Sequence, residues 1–150
     1  MTRLDRRALG RAAGCTCFTL RKATRAVTQF YDQALRPTGL RTTQFSLLTL
    51  LRLAGTLPIT RLAEEAVMDR TTLSRNLEVL ERDRLVRVQP GSDARVREVE
   101  LTDKGLAKLA QAFPRWQSAQ RAVARHLGAR RMARMLADLS SVMTISPEEQ

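Results

Sequence analysis

Apolar positions recur every three or four residues through 15–35 of this chain, at Leu20, Ala23, Val27, Phe30 and Ala34, which is one face of a long helix. Pro37 and Gly39 stop it. The first thirteen residues hold four arginines and little pattern, and read as a mobile basic arm or a loose extension of that helix. Thr42 and Thr43 suit the cap of a second helix near 43–54, where Phe45, Leu47, Leu48, Leu50, Leu51 and Leu53 leave hardly any polar face. Such a helix is expected deep in the core. After Gly55 and Pro58, residues 59–68 form a short helix with Ile59, Leu62, Ala63 and Ala66 inward.

Asp69 then caps a helix running to about Arg82, with Leu73, Leu77 and Leu80 facing the core and Arg70, Thr71, Ser74, Arg75 and Glu78 outward. Two short helices joined by a tight turn, the second showing Arg, Thr and Ser on its outer face, make a helix-turn-helix pattern. Past Leu85 the period changes to two: Val86–Gln89 alternates, Pro90-Gly-Ser-Asp93 supplies a turn, and Arg95–Leu101 alternates again, a β-hairpin. Thr102 caps a long helix over 103–126 with Leu106, Leu109, Phe113 and Trp116 apolar, and Pro114 predicts a kink. A final helix over 129–142 carries Met132, Met135, Leu136 and Leu139 on one face, and the tail Ser146–Gln150 is expected to fray.

Totals narrow the function classes. A chain of 150 residues suits one domain without a separate catalytic module. The net charge of +11 favours a polyanionic partner. That charge is unevenly placed: residues 1–36 hold eight basic and two acidic groups, residues 106–143 seven and one, and residues 69–105 eight of each. No apolar run approaches the roughly 18–20 residues that span a bilayer, and no apolar segment follows the basic N-terminus, so a cytoplasmic protein is expected. Cys15 and Cys17 form no secreted-type disulfide framework. With one histidine, His126, and no phosphate loop, metal spacing or nucleophile motif, enzyme readings lack parts, and no cofactor is expected.

The element order, with Leu62-Ala-Glu64, Asp69-Arg-Thr-Thr-Leu-Ser-Arg75, and Asp93-Ala-Arg95 running into Leu101-Thr-Asp-Lys-Gly105, resembles the MarR family of winged-helix regulators. The resemblance covers residues 16–142. It implies a mainly α fold with a small β-wing: a winged helix-turn-helix over 42–105, and dimerisation helices over 1–36 and 106–145. Val67 and Arg84 stand where relatives often place glycine. A β-branched residue at positive φ is costly, so a different backbone geometry or shifted caps is expected at Val67.

Residues near the N-terminal end of a recognition helix reach base edges in the major groove first, which nominates Arg70, Thr71, Thr72, Arg75 and Asn76. Arginine pairs bidentately with guanine, asparagine with adenine, and a threonine methyl packs on thymine. Asn76, close to the buried side, has the alternative role of a structural hydrogen-bond donor. Arg95 at the hairpin tip, held by Asp93, is placed for the minor groove; the competing reading is a surface ion pair with little effect on binding. Thr42, Thr43 and Gln44 at a helix start, and Arg61, are nominated for phosphate contacts.

The resemblance further implies a homodimer on a pseudo-palindromic operator in double-stranded DNA, with the first helix and last two interlocked across a two-fold axis. It also implies a small phenolic or aromatic-acid effector between the dimer region and the reader. Phe30, Tyr31, Phe45, Phe113 and Trp116 are candidates for that pocket, against the plainer reading that they are core. Cys15 and Cys17 are candidates for redox sensing, as in some relatives, or for a thiophilic metal with ligands from a partner chain, against a reading as small interface residues; on one helix they would point about 200° apart and could not bond without unwinding. The functional expectation is therefore a dimeric repressor released by a small ligand or an oxidant. The alternatives are a winged-helix module that holds protein or RNA without operator specificity, and a basic protein that coats DNA without sequence preference.

Overall fold

A computed structural model describes residues 5–93 and 95–145. The expected fraying of Ser146–Gln150 lies outside the described residues. Seven helices and three strands follow in chain order: α1 (Arg6–Ala13), α2 (Thr16–Leu35), a 3₁₀ turn (Arg36–Thr38), α3 (Thr42–Ala54), β1 (Leu57–Pro58), α4 (Ile59–Glu65), α5 (Arg70–Arg82), β2 (Val86–Pro90), β3 (Arg97–Leu101), α6 (Asp103–Leu127) and α7 (Ala129–Val142). The basic start of the chain thus holds a helix of its own, α1, separated from α2 by a break at Gly14–Cys15, rather than a patternless arm.

The core sits in the middle of the chain. Leu35, Leu47, Leu48, Leu51, Leu62, Leu73, Leu80 and Val99 are almost fully buried. They come from α2, α3, α4, α5 and β3, so burial of apolar surface ties the two short helices to the hairpin. Leu53 departs from the expectation of an all-round apolar α3, since it is 80% exposed. On α6 the buried row is Gly105, Leu109, Ala112 and Ala119, while Leu106 and Phe113 turn outward. α6 continues as one helix past Pro114, whose missing N–H leaves one carbonyl of the preceding turn without its helical donor.

The sheet has the order β1-β3-β2, all antiparallel. Val86 pairs with Leu101 and Val88 with Val99, which stacks the inward residues; Arg87 faces Glu100 on the outer side with an ion pair of 3.1 Å. The short strand β1, Leu57 opposite Val99, extends the hairpin and was not expected from the pattern.

Val67 and Arg84 both adopt left-handed backbone, with φ of 50° and 60°. This corrects the expectation of an altered geometry at Val67. Each residue closes a helix: Met68 N–H reaches the Ala63 carbonyl (2.9 Å) and Val67 N–H the Glu64 carbonyl (3.0 Å) after α4. Leu85 N–H reaches Leu80 (2.8 Å) and Arg84 N–H reaches Glu81 (2.9 Å) after α5. This is the Schellman arrangement, in which glycine is usual because Cβ crowds the backbone there.

At the start of α6 the Thr102 hydroxyl accepts from Gly105 N–H (3.0 Å) and donates to the Arg84 carbonyl (2.8 Å). A Cβ on Gly105 would stand 2.0 Å from the Leu85 carbonyl oxygen. The Leu-Thr-x-x-Gly run is therefore a docking joint that seats the long helix directly on the backbone at the base of the hairpin.

The terminal helices are far less covered. α7 has no buried residue, and α2 buries only Tyr31 and Leu35. Phe18, Val27 and Phe30 of α2, and Met135 and Leu136 of α7, are exposed.

Candidate nucleic-acid interface

Asp69 starts the reader. Its carboxylate accepts from Thr72 N–H (2.9 Å) and from the Thr72 hydroxyl (2.6 Å), and these bonds hold its pKa below the ordinary aspartate value. Leu73, Leu77 and Leu80 anchor the inner face of α5. At 100° per residue Thr71, Arg75 and Glu78 stand roughly opposite them, Ser74 stands to one side, and Arg70, in the first turn, lies roughly 50° from that row; all five are exposed. Among the described residues neither Arg70 nor Arg75 has an ion-pair partner, so both guanidinium forks are available.

Two of the nominated residues carry structural bonds. Thr72 spends its hydroxyl on the Asp69 cap, and Asn76 donates through Nδ2 to the Thr72 carbonyl at 2.8 Å. Ser74, one turn after Arg70 and exposed on the flank of the helix, was not nominated; its i, i+4 spacing from Arg70 was the available signal.

At the wing, Gly91 N–H bonds the Val96 carbonyl (2.7 Å) and Val96 N–H the Asp93 carbonyl (2.9 Å). The Asp93 carboxylate accepts from Arg95 N–H (2.9 Å), so it fixes the backbone of the tip rather than the guanidinium, which is exposed and unpaired among the described residues. Arg97, two residues on, is equally exposed; the alternation that predicted the strand placed it beside Arg95, yet it was not nominated. The wing is tied to the reader by Val88 N–H on Glu81 (3.3 Å), and α6 is tied to the end of α5 by Lys104 Nζ on the Asp83 carbonyl (2.8 Å).

The start of α3 is organised differently from the expectation. Arg41, not Thr42 or Thr43, is the N-cap residue, and its N–H donates to Gln44 Oε1 (2.9 Å), with Gln44 buried. Asp32, from α2, accepts from both Thr42 N–H (2.7 Å) and the Thr42 hydroxyl (2.8 Å). The anion that this helix start favours is thus supplied internally, and only Thr43 of the three nominated residues has no such duty. Arg61 is held between Glu64 (2.7 Å) and Glu65 (3.1 Å), exposed pairs weak enough to exchange for a phosphate. Asp32 was missed because a cap supplied from another helix leaves no local spacing to read.

The five aromatic candidates are largely packed on one another. Trp116 stacks between Phe45 and Phe113, with ring centroids 5.8 and 5.6 Å apart, and Phe30 meets Tyr31 edge-on at 5.9 Å. Tyr31 donates its hydroxyl to Gln120, and burial raises its pKa. The open cavities at α2–α7, α4–α5, α3–β3, α2–α3 and the α6–α7 corner are lined by other residues.

Both cysteines are free and exposed. Cys15 is the N-cap of α2, with extended backbone (φ −55°, ψ 127°), so the helical separation expected of the pair does not apply; only Cys17 is helical. Cys17 borders a cavity with Leu20, Val142 and Ile145. Among the described residues, no helix is long and apolar enough to cross a membrane.

The family model described as "MarR family" matches residues 40–96, the part that holds α3, β1, α4, α5, β2 and the turn of the wing. No curated protein matches the chain. Among solved structures, the chain is similar to the Mycobacterium tuberculosis transcriptional regulator MosR in complex with DNA, at 43% identity over 87% of this chain and 99% of that one, with a TM-score of 0.73. It is also similar to the transcriptional regulator PA4135 (27% identity, 89% and 98% covered, TM-score 0.80). A third similarity is to the transcriptional repressor CouR bound to a 23-mer DNA duplex (25% identity, 95% and 99% covered, TM-score 0.80). A docked wing, a capped helix with free arginines and a likeness of this extent to MosR agree on one conclusion: the chain belongs to the MarR family of winged-helix transcription regulators.

Proposed function

We propose that the chain is a cytoplasmic, homodimeric repressor that reads a pseudo-palindromic duplex operator. The observation that carries this reading is the pairing of a rigidly capped α5, with Arg70, Thr71 and Arg75 exposed, and a wing whose exposed Arg95 guanidinium has no ion-pair partner among the described residues. Arg70 and Arg75 read guanine edges in the major groove, Thr71 offers a methyl to thymine, and Arg95 enters the neighbouring minor groove. Thr43 and Arg61 contact phosphates; Thr72, Asn76, Asp93, Thr42 and Gln44 position these groups from behind. DNA in the MosR and CouR complexes, and the repressor role stated for CouR, support the reading.

The second copy covers α2 and α7, whose exposed apolar side chains Phe18, Val27, Phe30, Met135 and Leu136 leave surface open to it. Two readers held rigidly would face successive major grooves about 34 Å apart, so a change in their spacing lowers affinity. Release follows from an effector that alters this spacing. The stacked, partly buried aromatic residues offer less room for an aromatic acid than the two exposed thiols offer for an oxidant, which favours oxidation of Cys15 and Cys17 as the signal.

Selection of bound sequences from a random duplex pool, followed by challenge of the complex with aromatic acids and with peroxide, tests this. A two-fold-related motif, with release by peroxide that a thiol reductant reverses, is the expected result. Absence of any enriched motif overturns the operator reading. Release by an aromatic acid and not by peroxide assigns sensing to the aromatic cluster instead.

A further inference from the structure

The positive charge of this chain is not where its reader is. Residues 69–105 balance eight basic against eight acidic groups, whereas residues 106–143 carry seven basic groups against Asp138 alone. Of those seven, Lys108 donates to the Thr38 carbonyl (3.1 Å) and Gln111 (3.1 Å), but Arg115, Arg121, Arg125, Arg130, Arg131 and Arg134 form no ion pair among the described residues.

Four of these arginines flank the α6–α7 corner at Gly128, two on the outer side of each helix, and make its basic ridge. At 100° per residue, Arg121 and Arg125 lie roughly 160° around α6 from its buried row of Gly105, Leu109, Ala112 and Ala119. On α7, Arg130 and Arg134 lie roughly 150–170° from the apolar row of Met132, Met135, Leu136 and Leu139. The ridge therefore stays in solvent when α6 packs on the core, and also when α7 packs on a second copy. At the α6–α7 corner, Arg130, Arg131 and Arg134, with Leu127, Gly128 and Ala129, line an open cavity of about 500 Å³.

This corner is remote from the reader. α6 starts at the base of the hairpin, the end away from its tip, and its 25 residues carry the chain about 37 Å at 1.5 Å per residue. α7 runs back from this corner, and Met143 at its end lines a cavity with Arg70 of α5, so about 21 Å of helix, more than two Debye lengths of about 8 Å at physiological salt, lies between the corner and the reader. Its charge therefore adds little to operator affinity.

We propose that the α6–α7 corner is a second, sequence-independent site for the phosphate backbone of duplex DNA, so that one dimer holds its operator on the readers and another duplex segment at the far end. This rests on the operator reading of α5 and the wing. The chemistry is that of uncompensated guanidinium forks, which fit phosphate oxygens bidentately. Arg121 and Arg125 are about 6 Å apart along the helix axis, close to the about 6.8 Å that two phosphate steps of one strand cover. Flanking duplex is also the polyanion at highest local concentration around a protein already seated on DNA.

The test separates the two sites. Protein saturating an immobilised, selected duplex is offered a fluorescent duplex of unrelated sequence at about 50 mM salt. Wild type is expected to capture it, and the variant R121E/R125E/R130E/R134E to capture at least about tenfold less, with unchanged affinity for the selected duplex, dimer mass and circular dichroism. In parallel, R75A/R95A, which loses the selected duplex if the reader is as described, is expected to keep low-salt binding of unrelated duplex, and to lose it when the four reversals are added. Equal capture by wild type and the four-fold variant, or no capture by wild type, overturns the proposal without touching the reader. Competition of the captured duplex by an acidic polypeptide at lower concentration than by unlabelled duplex would also overturn it, assigning the ridge to a protein partner. Failure of the selected duplex to bind wild type overturns the operator reading; unrelated duplex binding, and its loss on reversal, then still decides the corner.

Discussion

Val67 shows most directly what the surrounding structure demands of one residue. A β-branched side chain in the left-handed region costs on the order of 1–2 kcal/mol, and nothing local compensates, because the side chain is 74% exposed. The conformation persists because Met68 must turn back onto the core through its bond to Ala63. Val67→Gly is accordingly expected to stabilise the fold by about 1 kcal/mol, less than the full strain because glycine gains freedom in the unfolded chain; a lower melting temperature than wild type would refute this.

The sequence marked Val67 and Arg84 as places where glycine is expected. It did not reveal that both keep the glycine geometry, since local propensity points one way and the closing bonds of two helices point the other. Asp69, by contrast, was legible as a cap because its partner, Thr72, is three residues away. Its lowered pKa means that its contribution to stability is present above the unfolded value of about 3.9 and is lost as pH falls through the folded value. Asp69→Asn, which keeps the capping oxygen, should flatten the acid limb of a stability-versus-pH curve without changing its neutral plateau in the same proportion. An unchanged acid limb would show that the bonds to Thr72 do not operate in solution.

Elements whose partners are close in sequence were readable, and those completed by distant contacts were not. The boundaries of α2, α5, α7 and the hairpin follow from periodicity and caps. Strand β1 is two residues long and exists only because β3 lies alongside it, so no alternation announces it. The start of α3 looked self-capped by Thr42 and Thr43, but Asp32 supplies the carboxylate across ten residues of chain. That bond makes the last turns of α2, an element of the terminal region, part of the first helix of the reader unit.

The joint at Gly105 works on the same scale, since it brings α6 onto the Leu85 carbonyl and so sets the angle between the hairpin and the long helix. Gly105→Ala places a methyl where a backbone oxygen stands, and neither side can move as a flexible side chain would. A loss of at least about 2 kcal/mol in thermal or denaturant unfolding is expected. A loss under about 0.5 kcal/mol would mean that the joint is not tight.

For the whole molecule, the division into a well-buried centre and thinly covered ends is the feature with most consequence. The middle of the chain holds nearly all of the fully buried side chains, while α7 buries no residue and exposes Met135 and Leu136. Leu136→Glu, at a position already 48% exposed, should leave the monomer folded, shift sedimentation from dimer to monomer, and lower affinity for the selected duplex by at least about tenfold, because each half-site then binds alone. Retention of the dimer would show that another surface pairs the protomers. The aromatic cluster of Phe45, Phe113 and Trp116 was ambiguous in sequence between pocket and packing, because both need apolar residues at helical spacing; in the structure its rings stack on one another across α3 and α6.

The central claim is that exposed arginines on α5 and the wing read DNA while the bulk of the positive charge does not. Fluorescence anisotropy of the selected duplex, titrated with wild type, R70A, R75A and R95A between about 50 and 200 mM salt, tests it most directly. Each substitution is predicted to weaken binding by about 1–3 kcal/mol and to relax preference at the bases it reads, with wild-type affinity falling steeply as salt rises. Wild-type affinity for the selected duplex that survives all three substitutions would contradict the account.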